Sequence, residues 1–310
     1  MDAIINGKNQ LFIIFLRFPD KTTKTQKNSR MARVVVHAPL SKEEIEPIRR
    51  DLCAKVRQHT SHVIFDTDTS ISRSIITSLR KALHTDVNCI PPSFNPDNAH
   101  LLIMDMDSTL ISIECVDEIA DFIGRKEAVS SITEAAMRGE IDFKTSLQER
   151  VRLLEGLDES VLQQVYDERL SLNPGAETLI RGLKERGMHV ALVSGGFTFF
   201  TERLQERLDF NYTLANQLEI VNGKLTGRII GDIVDARAKA NFMHEICQKM
   251  GIEPVQVIAV GDGANDLKMM HDAGLSVAFR AKPAVQSHSD TQINICGLDV
   301  ILDLVDANIP

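Results

Sequence analysis

Residues 101–104, Leu-Leu-Ile-Met, run straight into Asp105, and Asp107, Ser108 and Thr109 follow at once. A short apolar run that stops abruptly at polar residues has the pattern of a fully buried strand emptying into a loop. The pattern recurs where residues 188–193 meet Ser194-Gly195-Gly196, and again where residues 255–260 meet Gly261-Asp262-Gly263-Ala264-Asn265-Asp266. Helical spacing of apolar residues separates the three runs. Strands alternating with helices build a parallel sheet through right-handed crossovers, which brings the polar ends of such strands to one edge. In open α/β sheets that edge is where ligands bind. Taken alone, Asp105 and Asp107 also read as a turn whose carboxylates cap the next helix.

The chain has 310 residues, enough for two domains. Its formal net charge of −8 argues against a nucleic-acid-binding surface. Five scattered cysteines show no metal-type spacing, so free thiols in a reducing cytoplasm are expected. No apolar run approaches the roughly 20 residues that span a bilayer, so no membrane partner is expected. Residues 20–30 are a polar run with little to bury, and residues 1–30 are predicted to be a disordered leader, with Met31 as the expected physiological start. Residues 31–90 alternate strand, helix, strand, helix, strand, with a capping-box signature at Ser41-Lys42-Glu43-Glu44 and a helix-disturbing Pro47. Nothing there converges on chemistry, and a small α+β accessory or regulatory-type domain is predicted. A proline-rich linker over residues 91–98 leads to the main domain at residues 99–310.

After Asp107 the chain enters four predicted helices, at 115–122, 126–137, 143–154 and 159–170. In the third, Phe143, Leu147, Val151 and Leu154 form an apolar stripe, and Arg150 falls on it. An arginine facing inward needs an anionic partner; at the edge of a stripe its head instead reaches water. Ser194-Gly195-Gly196 between strand and helix can aim backbone N–H groups at an anion, or serve as a plain tight turn. Residues 214–221 and 224–229, joined by Asn222-Gly223, read as a β-hairpin. Lys239 sits in the first turn of a predicted helix, where dipole grounds disfavour it; a surface lysine is the ordinary explanation.

Four carboxylates on one sheet edge of an acidic protein call for a cation. Hard oxygen ligands with an octahedral preference suit Mg²⁺, which usually shares its shell with water and phosphate. With a hydroxyl, a glycine-rich helix start and a lysine, the set fits a phosphoryl site. A carboxylate there can serve as nucleophile, and a second acid two residues on can shuttle the proton.

The motifs Asp105-Met106-Asp107-Ser108-Thr109, Ser194-Gly195-Gly196, Lys239 and Gly261-Asp262-Gly263-Ala264-Asn265-Asp266 resemble the four motifs of the haloacid dehalogenase-like phosphohydrolases. Glu114, Arg150 and the hairpin residues Ala215-Asn216, Asn222-Gly223 and Thr226-Gly227 narrow the resemblance to the phosphoserine phosphatase branch, over about residues 99–306. The resemblance implies a doubly wound, mostly parallel α/β sheet with a helical cap inserted at about 114–171. It implies Mg²⁺-dependent hydrolysis of O-phospho-L-serine, the last step of serine biosynthesis, through an aspartyl-phosphate. Asp105 would be the nucleophile and Asp107 the general acid and base. One Mg²⁺ would be held by Asp105, Asp262 and the Asp107 backbone carbonyl, with Asp266 in support. Ser194, Gly195, Lys239 and Asn265 would hold the phosphoryl group. Glu114 would meet the substrate ammonium and Arg150 its carboxylate, with Met137 and Phe143 as an apolar wall. A homodimer is compatible with it. The alternatives are the same chemistry on another small phosphate monoester, transfer to an alcohol, or a non-catalytic serine or phosphoserine sensor.

Overall fold

The computed structural model describes residues 31–137 and 140–306, the side chain of Met137 excepted. The predicted leader lies outside the described residues. The chain divides into two compact units, at residues 1–93 and 94–310.

In the first unit the order is β1 (Ala32–Val36), α1 (Lys42–Asp51), β2 (Lys55–Gln58), β3 (Val63–Thr67), α2 (Arg73–Leu83) and β4 (Val87–Ile90). Ser41 caps α1 reciprocally: its hydroxyl accepts from Glu44 N–H, and its own N–H donates to the Glu44 carboxylate at 2.8 Å. Pro47 lies inside α1 without ending it. The four strands form an antiparallel sheet in the order β2-β3-β1-β4. The three-strand expectation missed β2. Lys55-Val56-Arg57-Gln58 is too polar to announce a strand, because it lies at the sheet edge and is only half-buried. The unit is therefore a full βαββαβ arrangement. Val34, Val36, Ile48, Phe65 and Leu79 belong to its apolar core.

The second unit begins with β5 (Leu101–Met104), then carries four helices: α3 (Cys115–Asp121), α4 (Lys126–Met137), α5 (Phe143–Arg152) and α6 (Ser160–Glu168). Alternation resumes with α7 (Ala176–Glu185), β6 (His189–Phe197), α8 (Thr198–Leu208), the hairpin β7 (Tyr212–Val221) and β8 (Lys224–Ile230), and α9 (Ala236–Met250). The chain continues through β9 (Val257–Gly261), α10 (Leu267–Asp272), β10 (Leu275–Phe279), α11 (Pro283–His288), β11 (Thr291–Ile293) and α12 (Ile301–Leu304). The sheet order is β11-β10-β9-β5-β6-β7-β8, with every neighbouring pair parallel except β7 and β8. Doubling back from β5 to both sides is what a doubly wound sheet does.

β5 lies in the middle of the seven strands, which is why all four of its residues are fully buried. Each such aliphatic side chain stabilises the fold by about 1.5–3 kcal/mol. Asn222 and Gly223, at φ 54° and 75°, make the left-handed two-residue turn that joins β7 to β8. The inserted helices leave and return side by side. Ile111 bridges Leu172, and Ser112 N–H donates to Ser171 O at 2.9 Å. The far end of the insertion rests on the hairpin: Gly156 N–H donates to Leu225 O, Leu225 N–H to Leu157 O, and Glu159 N–H to Gly223 O. No helix among the described residues is long and apolar enough to cross a membrane.

Candidate active site

Parallel pairing sets Met104 opposite Val260 on one side and Leu192 on the other. Asp105, Ser194 and Asp262 therefore leave the sheet at the same edge. Asp105 N–H still donates to Val260 O at 3.0 Å, so the first carboxylate is anchored to the rigid sheet. Beyond it residues 106–110 form a wide turn, closed by Ile111 N–H donating to Met106 O at 3.0 Å. Ser108 takes a left-handed conformation, φ 57°, uncommon for a residue with a Cβ and frequent where a site is under strain. Asn173, where the chain returns from the insertion, donates its side-chain amide to Thr109 O at 2.8 Å and Ile111 O at 3.1 Å. That buried clamp satisfies carbonyls that the irregular turn leaves unpaired.

Lys239 is completely buried. Its ammonium donates to Asp105 Oδ1 at 2.7 Å and Asp266 Oδ1 at 2.8 Å. The lysine placed on the wrong end of α9 for the helix dipole is thus explained by two carboxylates. Burial alone would lower its pKa, but the two acids outweigh burial and hold it above its ordinary value. Asp105 is pushed well above the usual carboxylate range, by burial first and the Asp266 charge second, with Lys239 opposing. Asp262 accepts from Thr109 Oγ1 at 3.1 Å, and burial followed by Asp266 raises it to about 6. Asp266 Oδ2 accepts from Gly263 N–H at 3.1 Å, and the loop is so tight that a Cβ on Gly261 would meet Asp266 Cβ at 2.5 Å.

Oxygens of Asp105, Asp262 and Asp266 lie within 4.8 Å of one another. Three carboxylates face one ammonium, and the excess negative charge together with an all-oxygen donor set fits a hard divalent cation. The Asp107 side chain is not part of this trio. Its Oδ1 accepts from Cys115 N–H at 3.3 Å, at the start of α3. Burial, then the Glu114 charge, lift Asp107 to about 7. An acid near neutrality is suited to give and take a proton.

Ser194 is buried and Gly195 half-buried. Neither Gly195 nor Gly196 is in the left-handed region, so a tight turn does not explain the pair. Room does: a Cβ on Gly195 would come within 3.0 Å of the Phe143 ring, and one on Gly196 within 2.8 Å of Asp107 Oδ2. Phe143 itself opens α5. Asn265 stands half-buried in the loop between Gly263 and Asp266. Met137 ends α4, and its side chain lies outside the described residues.

Glu114 keeps access to solvent, although protein crowds its carboxyl and raises its pKa first of all; Ser108 Oγ donates to it at 2.8 Å and lowers it. Arg150 is half-buried, and its only hydrogen bond among the described residues runs from Nε to Ser146 O at 3.4 Å in its own helix. Burial lowers its pKa, while the charges of Asp117, Glu114 and Asp107 act the other way. Asp117 was not singled out by the sequence, where it is one acid among several in a helix's first turn. Its Oδ1 is buried without a hydrogen-bond partner among the described residues. The site thus has a charged, internally bonded floor at the strand ends, and a wall of inserted helices in which Arg150 makes no ion pair and Asp117 Oδ1 no hydrogen bond among the described residues.

The family model of the haloacid dehalogenase-like hydrolases matches residues 99–274. The chain is 53% identical to a phosphoserine phosphatase of Polaromonas sp. over 224 residues, which span 71% of this chain and 95% of that protein. Its structure is similar to that of a probable phosphoserine phosphatase from Vibrio cholerae in unliganded form. That likeness has a TM-score of 0.76 and 36% identity, covering 89% of this chain and 86% of the other. It is also similar to a phosphoserine phosphatase solved as an analogue of the phospho-aspartyl intermediate, with a TM-score of 0.63 and 40% identity over 66% of this chain and 98% of that one. With more than half of its length inside the family model, the chain belongs to the haloacid dehalogenase-like hydrolases.

Proposed function

We propose that this protein is a phosphoserine phosphatase that hydrolyses O-phospho-L-serine through a phosphorylated Asp105. The observation that carries the reading is the contrast within the Asp105/Asp107 pair. Asp105 accepts a hydrogen bond from the buried Lys239 ammonium, while Asp107 accepts none from it among the described residues and rests on Cys115 N–H, with burial lifting its pKa to about 7. One carboxylate is placed to attack phosphorus, and the other to carry a proton. In the first step an Asp105 oxygen bonds to phosphorus as the bond to the serine oxygen breaks, and Asp107 gives its proton to that leaving oxygen. In the second, Asp107 takes a proton from water, the resulting hydroxide bonds to phosphorus, and the Asp105–phosphorus bond breaks to release inorganic phosphate. Lys239, Ser194 and the Gly195 N–H offset charge on the phosphoryl oxygens, with Asn265 beside them.

Asp105, Asp262 and the Asp107 backbone carbonyl would hold one Mg²⁺, supported by Asp266, and the ion would supply the positive charge that keeps Asp105 ionised and neutralises phosphoryl oxygen. Glu114 receives the substrate ammonium and Arg150 its carboxylate, against the apolar ring of Phe143. A planar guanidinium that makes no ion pair with a carboxylate among the described residues suits a bidentate carboxylate ligand. The βαββαβ unit is read as an accessory or regulatory-type module, and the setting as cytoplasmic, supported by five free cysteines. The test is release of phosphate from phosphoserine with Mg²⁺ and after its removal by a chelator. Turnover should depend on the ion and should favour phosphoserine over small phosphate esters lacking its charged groups. Equal rates on both substrates would assign the site to a general monoester phosphatase.

A further inference from the structure

β6 and β7 pair residue by residue as far as Val193 opposite Leu214, and pairing resumes only at Phe197 opposite Asn216. Ser194, Gly195 and Gly196 therefore bulge out of the ladder. A bulge forfeits ladder hydrogen bonds, and a carbonyl released in a buried place must find another donor. The Gly195 carbonyl finds the Asn216 side chain, whose Nδ2 donates to it at 2.8 Å. The N–H of the same peptide, that of Gly196, donates to Ser194 Oγ at 2.8 Å. The Gly195–Gly196 peptide is thus held at both ends. Because Ser194 Oγ already accepts, its hydroxyl proton is left to donate elsewhere.

Asn216 is 1% exposed, and its other end is also engaged. Oδ1 accepts from Val234 N–H at 2.8 Å. Its two partners are a carbonyl and an N–H, so the orientation of the amide follows from them. Val234 directly precedes Asp235, whose carboxylate caps α9 by accepting from Arg237 and Ala238 N–H. Lys239 lies one turn further on. One buried amide therefore ties the bulge that carries Ser194 and Gly195 to the start of the helix that carries Lys239.

We infer that Asn216 is a positioning residue that locks the Ser194–Gly196 bulge against the lysine-bearing helix α9, and so sets the spacing of the groups that receive a phosphoryl group. This rests on the phosphatase reading above. Its consequence is asymmetric. Disturbing Asn216 harms the phosphoryl end of the site and spares the end that meets the serine ammonium and carboxylate.

Asn216→Asp has the same shape, keeps an acceptor for Val234 N–H and loses the donor to the Gly195 carbonyl. Asn216→Ser is too short to span both partners. For each folded variant the readouts are kcat on phosphoserine, and inhibition by inorganic phosphate and by L-serine. A misplaced phosphoryl cradle should lower kcat about 100-fold. It should weaken inhibition by phosphate about tenfold, the worth of one lost hydrogen bond, and leave L-serine inhibition within about twofold. Equal weakening of both inhibitors, or wild-type values from a folded variant, overturns the inference. A wild type that neither turns over phosphoserine nor binds phosphate sinks the functional reading, and this inference with it. Should neither variant fold, amide exchange in the wild type decides. Saturating inorganic phosphate with Mg²⁺ should slow exchange at Gly196 and at Val234 together, and an unchanged Val234 overturns the inference.

Discussion

At the ends of β5 and β9 the charged groups hold one another. Lys239 reaches Asp105 and Asp266, Thr109 reaches Asp262, and Gly263 N–H reaches Asp266. Two charged groups of the inserted helices show the opposite: among the described residues Arg150 bonds only to a carbonyl of its own helix, and Asp117 Oδ1 has no hydrogen-bond partner. A floor complete in itself is preorganised for one chemistry and contributes to the fold. Charged groups left without such bonds add little to stability and can be completed by a ligand. On the proposed function the same difference separates reaction from specificity, and substitutions in the two regions should leave different signatures in activity and in Tm.

The largest effect is expected in the floor. Asp105→Asn should abolish the phosphoenzyme trapped by acid quench and cut turnover by about 10⁴-fold or more, as loss of a nucleophile does. A fully active variant, once deamidation is excluded, would remove Asp105 from that role. Lys239→Met should leave two buried carboxylates without their cation and cost about 3–5 kcal/mol of stability, read as a large fall in Tm together with lost activity. An unchanged Tm would mean that the floor does not depend on its own ion pairs. Gly196→Ala is subtler. Its Cβ would sit 2.8 Å from Asp107 Oδ2, so kcat should fall about 100-fold for a displaced proton carrier while KM changes little. The smallest effect is expected in the wall. Asp117→Asn removes the charge from a carboxylate whose buried oxygen has no hydrogen-bond partner among the described residues, so Tm should hold or rise, because burying a charge costs more than burying a neutral amide of the same shape. A clear fall in Tm would show that Asp117 is bound within the protein, and would weaken the contrast.

Much of this was legible in the chain because apolar runs ending in carboxylates are a local pattern. Residues 101–105 and 257–262 announce both a buried parallel strand and the edge at which it opens. The insertion was legible from helical spacing, with Arg150 on an apolar stripe. What the sequence could not disclose depends on distance along the chain or on shape. Asn173 clamps carbonyls more than 60 residues away, and no spacing rule connects the two. The bulge at Ser194–Gly196 is a register shift, which alternation of residue types does not encode. Gly195 and Gly196 look like turn glycines, yet they serve close approach by Phe143 and Asp107. β2 was hidden because an edge strand can be as polar as a loop.

The comparison between floor and wall is tested most directly by one pair of ratios. kcat/KM is measured for phosphoserine, and for a small phosphate ester lacking ammonium and carboxylate, on the wild type and on Arg150→Ala. Loss of a charge-assisted contact in a closed site costs about 2–5 kcal/mol, or about 30- to several-thousand-fold in kcat/KM. Phosphoserine should fall by that factor, the plain ester by less than about threefold, and Tm should stay put, since Arg150 makes no ion pair within the described protein. If both substrates fall by the same factor, Arg150 serves the fold or the chemistry at large, and the division between a reacting floor and a selecting wall is wrong.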